Sequence, residues 1–272
     1  MTIAIGILGS DNGVTLGADS EQTWGYLKSS AEKIWTHEDE KGALAIAGAG
    51  DGGNLECLSQ WLVDAFITLP AGSDHGRIEK TLSLTLREFH KQHIIPYTKD
   101  LTQDDPRVWL IVGFQGSGAA RLWASQRGAL RRCDRYTSTG IGREYAEAML
   151  GEVFKKKNAT AKIDTRFAEK LAAYVAFQTK LRVQGCGMAT ALVSLRDGHV
   201  QEIQPEKVSV FSYHCNRYSM LQPLMLQYAL GYDFEDDQIK AVQLLIGWLT
   251  SARNQLRQSE RATVEGWHYN IE

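Results

Sequence analysis

Proline is scarce in this chain, five in 272 residues, and cysteine is scarcer, with four. The prolines are too scattered for a stiff linker, and no serine- or glycine-rich joint replaces one, so no hinge between separate domains is marked. Cys57, Cys133, Cys186 and Cys215 form no C-x-x-C pair, which excludes the usual zinc and dithiol spacings. With no export segment at the amino end, they read as reduced thiols of a cytoplasmic protein. No run approaches the roughly 18 apolar residues of a membrane span. Nor does either sign of charge dominate: 30 Lys and Arg stand against 32 Asp and Glu, a net charge of -2. That balance gives no electrostatic reason to expect nucleic acid or a membrane as partner. Internal repeats and low-complexity tracts are lacking too.

What is present suits a globular core: 43% hydrophobic and 23% charged residues. Thr2 follows Met1 directly, and Ile3, Ile5 and Ile7 then alternate like a half-buried strand. Asn12-Gly13 in "GSDNG" turns that strand into a second one, over 14–19. A second hairpin is expected around "HEDEKG", joining 33–36 to 44–47. Leu55, Leu58, Leu62, Val63 and Phe66 recur at helical spacing, and a further helix covers 77–93 before Pro96. Strands resume at 108–115 and 119–124, with another before Thr137. Helices follow after "TGIG" and over 168–181, then strands at 188–195 and 200–203. Hairpins and helix pairs in this order predict an α+β fold: two antiparallel sheets face to face between helical layers, a four-layer αββα sandwich. The domain runs over 1–212. Residues 213–272 read as a helical extension packed on it, with Ile239, Val242, Leu245, Ile246 and Leu249 as its apolar stripe.

Chemistry starts at Thr2. A small residue after the initiator methionine favours its removal. That step would put a hydroxyl nucleophile and a free α-amine on one residue. The amine has a reference pKa near 7.7–8, so it can serve as a base close to neutrality. Asp19 ends the strand antiparallel to the first and can lie near Thr2. Lys33 opens the next hairpin, where its charge would favour a developing alkoxide. Gly48, just past "AIA", offers a bare N–H to an oxyanion. Cys186, between glycines in "GCG", is a weaker candidate nucleophile. His90 and His93 sit three apart, but no carboxylate or cysteine completes a metal site, and "GFQGSG" lacks the Lys-Ser/Thr of a phosphate loop.

The segments "TIAIGILGSDNGVTLGAD", "QTWGYL", "SSAEKIW" and "AIAGAGD" resemble the proteasome β-subunits and their bacterial homologues, among the N-terminal nucleophile hydrolases. The resemblance covers the first fifty residues well, is fainter in "TGIGREYAEAML" and "GCGMATALVSL", and finds no counterpart after about Ser212. It implies that Thr2 is the nucleophile, Asp19 and Lys33 its charged partners, and Gly48 the oxyanion donor. It places Thr23 and Ala49 where backbone groups pair with an extended substrate, and Ile46 near the floor of an apolar specificity pocket. The chain departs from the family at Ile141, Arg182, Gly185 and Glu21, where serine, aspartate, serine and arginine usually stand.

The expectation is a threonine-type endopeptidase acting on peptides or unfolded protein, with no cofactor and no metal. It would self-associate into a ring or open helical particle, with room for an unfoldase partner. A catalytically silent structural subunit and a small-molecule amidase of the same fold are the alternatives.

Overall fold

The computed structural model describes residues 2–24, 27–97, 107–126, 128–155 and 163–229, and in the tail 243, 246–248, 250, 251 and 254. Among these residues the first hairpin is β1 (Ile3–Leu8) and β2 (Val14–Asp19), with Asn12 at φ 67 in its turn. Asparagine tolerates that left-handed conformation, which is why Asn-Gly marks the turn. A short ribbon follows, β3 (Glu21–Trp24) with β4 (Leu27–Ser30), then β5 (Ile34–Asp39) and β6 (Gly42–Gly50). Helices α1 (Gly52–Ile67) and α2 (His75–Phe89) come next, capped by Asp51 and Asp74, whose carboxylates accept the N–H of Asn54 and Arg77. Strands β7 (Val108–Gln115), β8 (Arg121–Gln126), β9 (Ala129–Cys133) and β10 (Tyr136–Gly140) precede α3 (Arg143–Lys155) and α4 (Thr165–Arg182). Then come β11 (Thr190–Arg196), β12 (His199–Glu202) and α5 (Pro205–Ala229).

The strands form two five-stranded antiparallel sheets, in the orders β10-β1-β2-β11-β12 and β5-β6-β7-β8-β9. Helices α3 and α4 contact the first sheet, α1 and α2 the second, and β1 and β2 meet β6 and β7. The packing follows residue size. On β6, Ala43, Ala45 and Ala47 join the cluster between the sheets, while Leu44 and Ile46 join the one under α1 and α2.

β1 obeys the same rule, and here the structure differs from the expected half-buried strand. Ile3, Ile5 and Ile7 are fully buried, and so is Ala4 between them. The alternation is large against small, because both faces of β1 are covered.

The chain divides into two compact units, Met1–Ser212 and Tyr213–Glu272, and the division falls within α5. In the second unit the rings of His214 and Trp248 lie 5.6 Å apart. Ile239, Val242, Leu245 and Leu249 lie outside the described residues, and Ile246 is exposed. No described helix is long and apolar enough to cross a membrane.

Candidate active site

Thr2 stands just before β1 and is 3% exposed. The next residue fixes it, since Ile3 N–H donates to Asp19 Oδ1 at 3.1 Å, across the β1–β2 pair. Gly140, at φ +93, lets Thr2 lie against the end of β10. A Cβ there would fall 2.1 Å from the Thr2 carbonyl oxygen, so no other residue fits.

Lys33 precedes β5 and is 7% exposed. Its Nζ donates to Thr2 Oγ1, to Asp19 Oδ1 at 3.2 Å and to the Glu21 carbonyl oxygen. Those three acceptors match the three donors of an ammonium. Burial pulls the Lys33 pKa below the ordinary lysine range, against the Asp19 carboxylate, which raises it. Burial likewise pushes the Asp19 carboxyl up, opposed by the Lys33 charge and by the N–H groups of Gly187 and Ile3. The two shifts share one cause: neither charge has water to solvate it.

Gly48 is on β6 beside this group, and its N–H donates to the Lys33 carbonyl oxygen across a long 3.3 Å. A Cβ at Gly48 would lie 2.3 Å from Leu55 Cδ1 and 2.8 Å from Leu110 Cδ2. Close approach of α1 to β6 therefore demands glycine here on packing grounds alone. Ala49 pairs with Trp109 on β7 and lines the same cleft as Thr2. Thr23 pairs with Lys28 in the β3–β4 ribbon. Ile46 is fully buried in the core under α1, while Trp35, its partner across β5 and β6, reaches the cleft wall.

The cleft has a volume of about 1240 Å³. Thr2, Glu21, Lys33 and Gly140 line it near the hydroxyl. Arg107, over the Trp109 ring at 5.7 Å, and the exposed Ile141 lie on it too, so "TGIG" supplies an apolar edge. Arg182 sits over the Tyr145 ring at 5.6 Å and bonds Gln178, and Gly185 is in the turn after α4 at φ +89.

The roles of three groups escaped the sequence reading, although it named Glu21 as a departure from the family pattern. Gly187 N–H donates to Asp19 Oδ2 at 2.8 Å. The Glu21 carboxylate, 4% exposed, pairs with Lys28 at 3.0 Å, while its carbonyl holds Lys33. Lys180 reaches the same turn as Gly187. Only the "GCG" triplet hinted at them. Cys186 itself is buried, and burial with the nearby Asp19 charge pushes its thiol up to about 12, so it is protonated and inert at neutral pH. His93 stacks on Phe89 at 4.6 Å and meets the Trp61 edge at 5.4 Å, an aromatic packing role rather than an exposed one.

No protein-family model matches the chain, and no curated protein matches it in sequence. Solved structures do. The chain is similar to Anbu, an ancestral beta-subunit, from Yersinia bercovieri, at 16% identity and TM-score 0.62, covering 84% of this chain and 96% of that one. It is similar to the Anbu complex of Pseudomonas aeruginosa, solved as a helical assembly, at 15% identity and TM-score 0.65, covering 83% and 96%. Anbu from Hyphomicrobium sp. strain MC1 matches at 16% identity and TM-score 0.61, covering 86% and 98%. These findings correct the resemblance to the proteasome β-subunits and their bacterial homologues. The likeness runs to Anbu proteins, and at this identity it is one of proteasome-like fold. The physical reason is that an amino-terminal hairpin followed by an Asp and a Lys at these positions is common to proteins of this fold. These features cannot tell its branches apart.

Proposed function

We propose that the protein is a threonine-type peptidase of the cytoplasm whose nucleophile is Thr2, exposed as the first residue once Met1 is removed. The reading assigns the activity to the first unit, as an αββα sandwich, and makes residues 213–272 an extension of it. One observation carries it: a buried lysine ammonium donates to the Thr2 hydroxyl and to the Asp19 carboxylate at once.

In this mechanism Thr2 Oγ1 attacks the scissile carbonyl, and the Thr2 α-amine takes the hydroxyl proton. Lys33 stabilises the alkoxide as it forms, and Asp19 holds Lys33 in place. The Gly48 N–H, only loosely engaged by Lys33 O, turns to the oxyanion. The C–N bond breaks as the leaving amine takes the proton back from the α-ammonium. An ester remains, and water hydrolyses it with the α-amine again as base. Nothing in these steps calls on a cofactor.

Extended substrates would pair as an added strand through backbone groups of Thr23 and Ala49. A site of that kind reads backbone rather than sequence, so self-association that encloses it is part of the proposal; the helical assembly of the Pseudomonas aeruginosa Anbu complex supports it.

The test is intact-mass analysis after exposure to an N-terminal-threonine electrophile, together with N-terminal sequencing. A single adduct on a chain beginning at Thr2 is expected. Full peptidase activity in protein that retains Met1 would overturn the mechanism, because the α-amine would then be tied up in a peptide bond.

A further inference from the structure

Lys180 lies in the last turn of α4, where a lysine ordinarily reaches into water past the helix end. Instead its Nζ turns inward and donates to the Met188 carbonyl oxygen at 2.9 Å and to Thr190 Oγ1 at 2.7 Å. Burial pulls its pKa down, opposed by the charge of the Asp19 carboxylate, while both of its hydrogen-bond acceptors are neutral. Lys180 is half-buried, and partly desolvating an ammonium against two neutral acceptors offsets much of what those bonds contribute, so this contact is a poor stability device. A methionine of similar length would fill the same space without the cost.

The two acceptors explain where that cost goes. Met188 is held at φ +56, a left-handed conformation that a non-glycine residue avoids. On one side of it, Gly187 N–H donates to Asp19 Oδ2. On the other, the Ala189 carbonyl accepts Ser20 N–H at 3.0 Å. Thr190, which opens β11, is the register partner of Asp19 itself. The Lys180 ammonium therefore grips the turn at its centre, between its two bonds to the Asp19–Ser20 segment. The Glu21 carboxylate packs against the turn at Gly187, where a Cβ would lie 2.1 Å from its Oε2.

We propose that Lys180 is a positioning residue for the nucleophile: it locks the turn 183–189 so that Gly187 fixes Asp19, and Asp19 fixes Lys33 against Thr2. The proposal rests on the peptidase reading for its kinetic consequence, but the lock itself has its own readout. Around Asp19 the charged and titratable groups are Lys33 before β5, Lys180 from α4, Glu21 on β3 and the protonated Cys186 thiol in the turn.

The experiment compares full-length wild type, Lys180→Met and Lys180→Arg. Amide exchange of residues 183–190 is followed by mass spectrometry, and acylation of Thr2 by a β-lactone is timed by intact mass. Lys180→Met is expected to speed exchange in the turn and to slow acylation, each about tenfold, the worth of one charge-assisted hydrogen bond. The melting temperature should stay within about 3 °C of wild type. Lys180→Arg, which can reach both acceptors, should restore acylation to within about threefold of wild type.

Unchanged exchange in Lys180→Met overturns the lock, and faster exchange with unaltered acylation overturns its role in positioning. A wild type that takes no lactone sinks the peptidase reading by itself, and exchange then decides the lock alone. Should Lys180→Met not fold, Thr190→Val removes one acceptor and carries the same two readouts, with shifts of about threefold expected.

Discussion

Lys33 has no donor to spare. With its ammonium committed to Thr2 Oγ1, Asp19 Oδ1 and the Glu21 carbonyl, it cannot also take a proton from Thr2, so the proposed mechanism draws its base from elsewhere. That requirement shapes the pH dependence. On that mechanism the α-amine can no longer act as base once it is protonated, so activity should fall below neutrality. Lys33 must keep its proton, and burial has lowered its pKa, so activity should fall again on the alkaline side before pH 10.5, where a free lysine titrates. Asp19 must stay ionised, and its raised pKa brings its protonation above 3.8, on the same acid side as the amine. A kcat/KM profile measured from about pH 5 to 10 checks this, and a flat acid limb would refute the α-amine as base. Thr2→Ala and Lys33→Ala should each lower kcat by about a hundredfold or more with the fold intact by circular dichroism, since one missing member disables a nucleophilic unit.

At the scale of elements, sheet spacing depends on small residues. Gly6 is central in β1, and a Cβ there would lie 2.7 Å from Ile111 Cγ2 and 2.8 Å from Leu122 Cδ1 of the facing sheet. Gly6→Ala should therefore destabilise the protein by about 1–3 kcal/mol, the usual cost of overpacking a filled core. Gly76, in the exposed first turn of α2, is the control. Its Cβ would meet only Asp74 Oδ1, at 3.4 Å, and Gly76→Ala should stabilise by about 0.5–1 kcal/mol. Urea midpoints at constant m would separate the two outcomes, and equal midpoints would refute the packing argument.

The same contacts explain what was legible in the sequence. The β1–β2 hairpin was, because Asn12-Gly13 can make its turn locally, and β7 has the bounds its apolar run marks. The β3–β4 ribbon was not, since "EQTW" and "LKSS" carry no apolar alternation. The start of α5 at Pro205 hid behind a polar first turn. Met188, read as a strand residue, is excluded from β11 by its positive φ. In the site, Thr2, Asp19 and Lys33 stood out as chemistry-bearing types close in sequence. Gly187 did not, because its partner Asp19 is brought to it only when β11 pairs with β2, through a bond between residues 168 apart. Lys180 did not, because a lysine in a helix's last turn ordinarily points to water, and here it reaches Met188 and Thr190 instead.

For the whole molecule, the peptidase reading raises the question of what would keep such a site from unfolded protein at large. The cleft of about 1240 Å³ beside Thr2 is lined by polar and apolar residues alike, among them Glu32, Trp35 and Arg143. On the peptidase reading, enclosure by further copies of the chain would limit which substrates reach it. Surfaces for it exist on both helix pairs of the first unit: Leu84 on α2 is 52% exposed, and on α4 Phe167 and Leu181 are 48% and 57% exposed. Single exposed apolar residues are ordinary, but on helices that cover the sheets they sit where identical subunits can meet face to face. Contacts that repeat head to tail close into a ring or run on as an open helix, depending only on the rotation between neighbours. Sedimentation velocity at micromolar concentration is expected to show a particle of many 30.3 kDa chains. Leu84→Asp and Leu181→Asp, placed on opposite helix pairs, should each shift it to smaller species if that surface is buried in the contact, because a desolvated carboxylate is costly. A monomer or dimer with full activity on peptides would refute enclosure, since Thr2 would then be open to any chain that fits the cleft.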